Sequence, residues 1–402
     1  MGNTIRILQA NLATAEDDQI ARVVALVDAL PERGTADELI APLRPRLQQL
    51  RPKRMVGFAR LLFTPLDPLI VPSPVWQRGS VLVPRHVVAP IAAALRTAMP
   101  NAKRLEAQAA LLDAADRDAI VQIGRIAWPE AAAACKDSLP FAEAPDVGGL
   151  KERDWAGLVS LVAAVLQVAA EIEVAVAEPQ GDAQDVAVRA LLRRTAPHGS
   201  AAFGAVVTIL LARPTVPERV VSCAVEVAGA ADYRTATDAA IGTTLDGIAA
   251  ALDGIDGNGR ISADDIQRLA IRLNGLKPCC ATRPERQHRI EAMRREAGEA
   301  CRRAFQHTVT DGILRRLQDM ARVPDDTDII GLEASARDLR RIEANGRQFG
   351  GDGCDALLDS CRDMFRSNKL ASLALADRVR MLEILGAPDE ALALLIRELP
   401  TP

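Results

Sequence analysis

Residues 155–176, WAGLVSLVAAVLQVAAEIEVAV, form the most apolar stretch of the chain. Their apolar side chains recur at the three- and four-residue intervals of an α-helix with one buried face. A membrane span needs about 20 apolar residues in succession, and this stretch is interrupted by Gln167, Glu171 and Glu173. We therefore predict a core helix and no membrane segment, and we predict a second, shorter core helix at 199–212.

The same spacing extends over almost the whole chain of 402 residues, without the period-two alternation of strands. Proline and glycine divide it into helices of about 10 to 18 residues. The breaks fall at 31–34, 140–149, 179–182, 197–199, 278–284 and 324–328. Near the C-terminus, Gly386 ends one predicted helix and Pro388 begins the next. The predicted fold is all-α, either a multi-helical bundle or an irregular α-solenoid, with one ordered proline-rich loop.

The chain is longer than the usual domain of roughly 100 to 200 residues, so we predict three helical domains. The first, 1–145, contains a proline-rich segment at 64–90. The second, 146–277, ends in a glycine-rich pattern, and the third, 278–402, contains a long proline-free helix at 284–322.

Charge and composition limit the classes of partner. The net charge is -4, so no overall positive field draws the protein to nucleic acid or to an anionic membrane. Aromatic residues make up only 3% of the chain, too few for a platform that stacks the bases of a single strand. The first 19 residues lack the segments of a signal peptide. We expect a cytoplasmic protein, and the preference for arginine over lysine with abundant alanine is typical of a GC-rich bacterial genome.

The seven cysteines are expected to be free thiols, because their positions do not form the framework of a secreted disulfide-rich domain. Cys279 and Cys280 are adjacent, but no CxxC or CxH spacing completes a metal site, so we interpret them as small side chains at a turn beside Pro278. The four histidines also lack the HxxxH spacing of a metal-binding helix. No pattern marks a catalytic nucleophile and base.

The proline-rich segment 64–90 interrupts the helical pattern with prolines set among apolar residues such as Trp76. We predict an ordered loop that buries these side chains. Basic residues lie around and within it, namely Arg51, Lys53, Arg54, Arg78, Arg85 and His86. Guanidinium groups hold phosphate or carboxylate bidentately, which makes this set a candidate anion site. The alternative is a charged rim around an apolar loop, because no phosphate motif such as GxxxxGK[ST] is present.

A second basic region, 283–303, alternates arginine with glutamate. On a helix this alternation forms ion pairs along a solvated face. The alternative is a helix that contacts nucleic acid.

Residues 252–269, LDGIDGNGRISADDIQRL, carry the most specific local pattern in the chain. Oxygen-bearing side chains alternate before a glycine, an apolar residue follows, and a carboxylate comes as the next helix starts. In this the segment resembles the calcium loop of the EF-hand family. The resemblance implies one weak calcium site whose ligands are Asp253, Asp256, Asn258, Arg260, Ser262 and Asp265, with Arg260 acting through its carbonyl.

The glycine-rich pattern departs from the family at its first position, where Gly254 has no side-chain oxygen and Asp253 lies one residue early. It also ends on Asp265 instead of the usual glutamate. The alternative is a structural turn in which Ser262 and Asp265 form the S-x-x-D cap of the following helix.

These observations favour an α-helical interaction or scaffold protein with a protein partner, and they lean away from an enzyme. One alternative is an enzyme or regulator with an anion site at 51–86. Another is association with nucleic acid through the arginine-rich helix 283–303. Apart from the weak calcium site, no cofactor is indicated.

Overall fold

The chain is helical almost throughout the part that a computed structural model describes, residues 55–114, 116–137, 152–258, 262–319, 326–349, 354–367 and 373–398. The described strands are β1 (Ile70–Val71) and β2 (Val83–Pro84), which pair in parallel, with Ile70 opposite Val83. The predicted all-α class is therefore confirmed.

The chain divides into two compact units, residues 1–64 with 86–149 and residues 65–85 with 150–402. The second unit contains both 146–277 and 278–402, and a further domain boundary at 277/278 stays a prediction.

The described part of the first unit contains four helices: α1 (Phe58–Phe63), α2 (Arg85–Ala98), α3 (Ala102–Ala109) and α4 (Arg117–Asp137). Trp128 of α4 is fully buried, and its indole Nε1 donates a hydrogen bond of 3.0 Å to the carbonyl of Leu61. Because the polar edge of this ring is satisfied, it fixes α4 against α1 without a desolvation cost.

The described helices of the second unit are interrupted at the predicted breaks 179–182, 197–199 and 278–284, and also at 168, 213–216 and 228–230, where no break was predicted. They are α5 (Glu152–Gln167), α6 (Ala169–Ala177), α7 (Asp182–Thr195), α8 (Ser200–Ala212), α9 (Pro217–Val227), α10 (Ala231–Asn258), α11 (Ala263–Leu276), α12 (Pro284–His307), α13 (Arg315–Asp319), α14 (Asp326–Arg347), α15 (Asp355–Arg366), α16 (Leu375–Ile384) and α17 (Pro388–Glu398). A π-helical turn, Thr308–Leu314, joins α12 to α13, so the predicted long helix continues to Asp319.

Helix α8 is the centre of the second unit, since every residue from Ala202 to Leu211 is buried. A helix that is apolar on all sides is stable in water only when neighbours surround it. Its closest neighbour is α10, and a β-carbon at Gly204 would lie 3.3 Å from that of Ala236. The predicted core helix at 199–212 is thus confirmed, and glycine at 204 permits the close approach.

Helices α5 and α6 come from the apolar stretch 155–176 and are bent by 50° where they meet. No single described helix is long and apolar enough to cross a membrane, while this bent pair passes by length and composition alone.

The proline-rich segment has defined structure, but its burial is uneven. Leu66, Leu69 and Val83 are fully buried, and the indole of Trp76 donates a hydrogen bond of 3.0 Å to Leu82 O. The stretch 72–75 between them is exposed and Trp76 is only half-buried, so the predicted burial is wrong for the middle of the segment.

The end of the proline-rich segment is helical instead of looped, because α2 begins at Arg85 and contains Pro90. A proline near the start of a helix removes one backbone donor, and the apolar face of α2, which buries Val87, Ile91 and Leu95, compensates for that loss.

Candidate functional site

Helix α11 carries four side chains on one face at helical spacing: Asp265, Arg268, Leu269 and Arg272. The helix begins at the N-cap Ser262, whose hydroxyl oxygen accepts a hydrogen bond of 3.1 Å from Asp265 N. The predicted S-x-x-D cap is confirmed.

This face of α11 forms one wall of a cavity of about 600 Å³. Ala212 at the end of α8, with Arg213, Pro214 and Thr215 beyond it, forms a second wall. Ile271 of α11, Ala251 of α10 and Gln180, which precedes α7, complete the lining. Three arginines of this lining, Arg213, Arg268 and Arg272, give the space its character, and we refer to it as the arginine cavity.

The first arginine of the cavity is matched by a buried acid. Arg213 Nη2 lies 3.7 Å from Glu173 Oε1, and the two side chains are only 10% and 5% exposed. Glu173 is one of the charged residues that interrupt the apolar stretch 155–176. Its place in the core follows from this pairing, because a buried carboxylate requires a cation beside it.

The second arginine is matched at the cavity rim. Arg268 Nη2 lies 2.5 Å from Asp265 Oδ1, and the hydroxyl of Ser262 donates a hydrogen bond of 2.6 Å to Asp265 Oδ2. The Ser262 hydroxyl and then the Arg268 guanidinium hold the pKa of Asp265 below its usual range. The carboxylate therefore remains charged and neutralises Arg268.

The third arginine, Arg272, has no carboxylate partner among the described residues. Its Nε is buried and makes no hydrogen bond to any described residue. Burial lowers the pKa of its guanidinium. An arginine stays protonated at neutral pH even so, and the cavity therefore holds one positive charge without a counter-charge among its described lining.

The predicted calcium ligands are only partly described. Helix α10 continues through Asp253 and Asp256 to Asn258, and Arg260 lies outside the described residues. Asp265 already accepts from Ser262 and Arg268.

Among the described residues, no group of three or more histidine, cysteine or acidic side chains is arranged to hold a metal. Calcium binding stays a prediction.

The predicted anion set at 51–86 is also only partly described, since Arg51, Lys53 and Arg54 lie outside the described residues. Arg78 is exposed and lies 2.7 Å from Asp154 Oδ2. Arg85 is exposed at the start of α2, and His86 is partly buried beside it. Arg78 thus already has a carboxylate partner, and the set as a whole stays a prediction.

The arginine-rich helix 283–303 uses several of its charges within its own unit. Arg283 and Arg286 both contact Asp238 of α10, at 2.7 and 2.5 Å, and Arg289 lies 2.6 Å from Asp246. These pairs join α12 to α10. They reduce the positive charge that this helix presents to a partner such as nucleic acid, although that association stays untested.

All seven cysteines are free thiols, as predicted. Cys280 is buried in the short turn Pro278–Cys280 and Cys279 is partly buried beside it. Burial raises the pKa of the Cys279 thiol to about 12. These are properties of packed side chains, since a reactive thiol needs a lowered pKa.

The arginine cavity could not be predicted from the sequence, because its walls are far apart along the chain. Arg213 follows a buried helix, and Arg272 stands between Ile271 and Leu273 with the spacing of an ordinary amphipathic helix. The available signal was the spacing of Asp265, Arg268 and Arg272, which places all three on one helix face. That signal does not show that the face lines a cavity.

Comparison with family models, with curated proteins and with solved structures finds no match to this chain.

Proposed function

We propose that this protein is an α-helical binding protein whose second unit holds a small organic anion in the arginine cavity. The observation that carries the proposal is Arg272, whose Nε is buried without a described partner while Arg213 and Arg268 each face a carboxylate. An uncompensated buried charge costs free energy that a bound anion would return. The volume of about 600 Å³ lies in the range of small-molecule sites.

The proposal departs from the predicted interaction or scaffold protein, and it takes from the alternative prediction the chemistry of an arginine that grips phosphate or carboxylate. It places that chemistry on α11 instead of at residues 51–86. A protein partner for the helical surface is compatible with it and stays a separate prediction.

Thermal unfolding of the purified protein with sodium salts of small organic phosphates and carboxylates tests the proposal. We expect at least one anion to raise the midpoint of unfolding in wild type and to lose this effect in Arg272→Gln. Arg193→Gln is the matched control, because Arg193 is an exposed arginine of α7 outside the cavity lining. Equal stabilisation of all three proteins would indicate a general salt effect and would contradict the proposal.

A further inference from the structure

The class of anion follows from the charges that surround Arg272. Arg213 and Glu173 balance each other, and so do Arg268 and Asp265. Among the described residues of the lining, Arg272 therefore leaves an excess of one positive charge. A ligand with a single negative charge brings this set to neutrality, whereas a doubly charged phosphate monoester would leave one negative charge beside two carboxylates.

The scarcity of free hydrogen-bond donors in the cavity walls also favours a ligand with a single negative charge. Phosphate sites commonly offer several free backbone N–H groups. In the wall formed by residues 213–215, Arg213 N donates to Leu210 O, Thr215 N donates to Arg213 O, and Pro214 has no N–H. A three-oxygen head group would find few donors at this wall.

Backbone N–H groups at the start of α11 also already donate hydrogen bonds within the protein. Asp265 N donates to the hydroxyl oxygen of Ser262 and Ile266 N donates to the Ser262 carbonyl. The Arg272 guanidinium, whose Nε makes no hydrogen bond to a described residue, remains as a donor for a ligand, and its fork matches the two oxygens of one carboxylate.

The rest of the cavity suits a carbon skeleton. Ala212, Pro214, Ala251 and Leu269 contribute apolar surface, and the space is far larger than a carboxyl group alone would need. Apolar surface near one oriented charge is the usual composition of a site for an amphipathic small molecule.

We propose that the ligand of the arginine cavity is the anion of a monocarboxylic acid, with its carboxylate on Arg272 and an apolar body against Ala251 and Leu269. This inference rests on the proposed function and narrows it to one ligand class.

Calorimetric titration at about pH 8, where an alkyl phosphate carries close to two charges, tests the ligand class. The probes are butanoate, hexanoate and octanoate, the alkyl phosphates of the same chain lengths, and hexanamide as a neutral analogue. We expect one of the carboxylates to bind at least about tenfold more tightly than the phosphate of equal length, and hexanamide to show no measurable heat.

Two variants of Arg272 keep the test valid if one of them folds poorly. Arg272→Gln should abolish carboxylate binding, Arg272→Lys should retain it with about tenfold lower affinity because the fork is lost, and Arg193→Gln should bind as wild type does. Circular dichroism establishes that each variant is folded.

The possible outcomes separate the two proposals. Tighter Arg272-dependent binding of the phosphates would overturn the monocarboxylate class and leave anion binding in place. If neither series binds in a way that depends on Arg272, both proposals fall.

Discussion

Arg272 should lower the stability of the ligand-free protein, because its Nε is buried without a hydrogen-bond partner among the described residues. Other described arginines are placed differently. Arg286, for example, lies 2.5 Å from Asp238. A side chain that opposes folding is more often kept for a ligand than for the fold.

Replacing Arg272 by methionine should therefore stabilise the ligand-free protein by about 1 kcal/mol, since the apolar side chain fills similar space without an unmet charge. Urea unfolding at neutral pH measures the effect. Arg268→Met is the control on the same helix face, and it should give no gain because Arg268 is exposed and already paired with Asp265. A lower unfolding free energy for Arg272→Met would show that the guanidinium is compensated after all.

Glu173 and Glu171 lie two residues apart on α6 but should respond differently to replacement by alanine. Glu173 is buried beside Arg213, so Glu173→Ala leaves a buried cation and should cost about 3 kcal/mol. Glu171 pairs with the exposed Arg194, and Glu171→Ala should cost less than about 1 kcal/mol. Equal losses in urea unfolding would refute the assignment of Glu173 as a core partner.

At the scale of elements, helix α11 joins two features of the chain. Its cap Ser262 lies within the glycine-rich pattern, and its first turn carries Asp265 into the arginine cavity. The N-terminal end is also held to α14, because Asn345 Nδ2 donates a hydrogen bond of 3.0 Å to Ala263 O. The start of this helix is therefore fixed whether or not an ion binds before it.

The calcium prediction can be decided with two variants of this region. If the glycine-rich pattern binds calcium, Asp256→Ala should remove the heat of binding that wild type shows with millimolar calcium. If it is only a turn, wild type should show no such heat.

Ser262→Ala should cost about 1 kcal/mol with or without calcium, because Asp265 N loses its acceptor. It is the control for local structure in the calcium experiment. No loss of stability in Ser262→Ala would contradict the cap.

Much of the helical structure could be predicted from local sequence, but the arginine cavity could not. Gly386 has φ +75°, a left-handed conformation that glycine adopts without strain, and it separates α16 from α17 as predicted. Local spacing also located Ser262 as a cap. By contrast, Pro90 and Pro129 lie inside helices, because packing outweighed one lost hydrogen bond.

The arginine cavity depends on packing that local sequence does not encode. It combines residues from position 180 to position 272 that meet only after α8, α10 and α11 have packed together. A spacing rule assigns a side chain to a helix face, but it does not say whether that face meets solvent, a neighbour or a void.

At the scale of the whole molecule, buried thiols make stability depend on pH in the alkaline range. Burial raises the pKa of Cys135 and Cys301 to about 12, from the ordinary thiol value of 9.0. Between these values the unfolded chain loses thiol protons that the folded chain keeps, so the free energy of unfolding must fall as pH rises above 9.

Replacing Cys301 by alanine should remove part of that fall. The measurement is urea unfolding of wild type and Cys301→Ala at neutral pH and at about pH 10. The difference between the two proteins isolates the Cys301 thiol, because other groups that titrate at alkaline pH affect both proteins equally. We expect the variant to lose less stability between the two pH values than wild type does. An equal loss would mean that the Cys301 thiol ionises as readily in the folded state as in the unfolded one.

The placement of the three tryptophans gives each unit its own fluorophore. Trp128 lies in the first unit, and Trp76 and Trp155 lie in the second. Trp128 is fully buried while Trp76 is half-buried, so the emission of Trp128 should lie at shorter wavelength. In the double variant Trp76→Phe, Trp155→Phe the remaining emission follows the first unit, and in Trp128→Phe it follows the second. Denaturant titrations of these two proteins would reveal whether the two units unfold at the same denaturant concentration or at different ones.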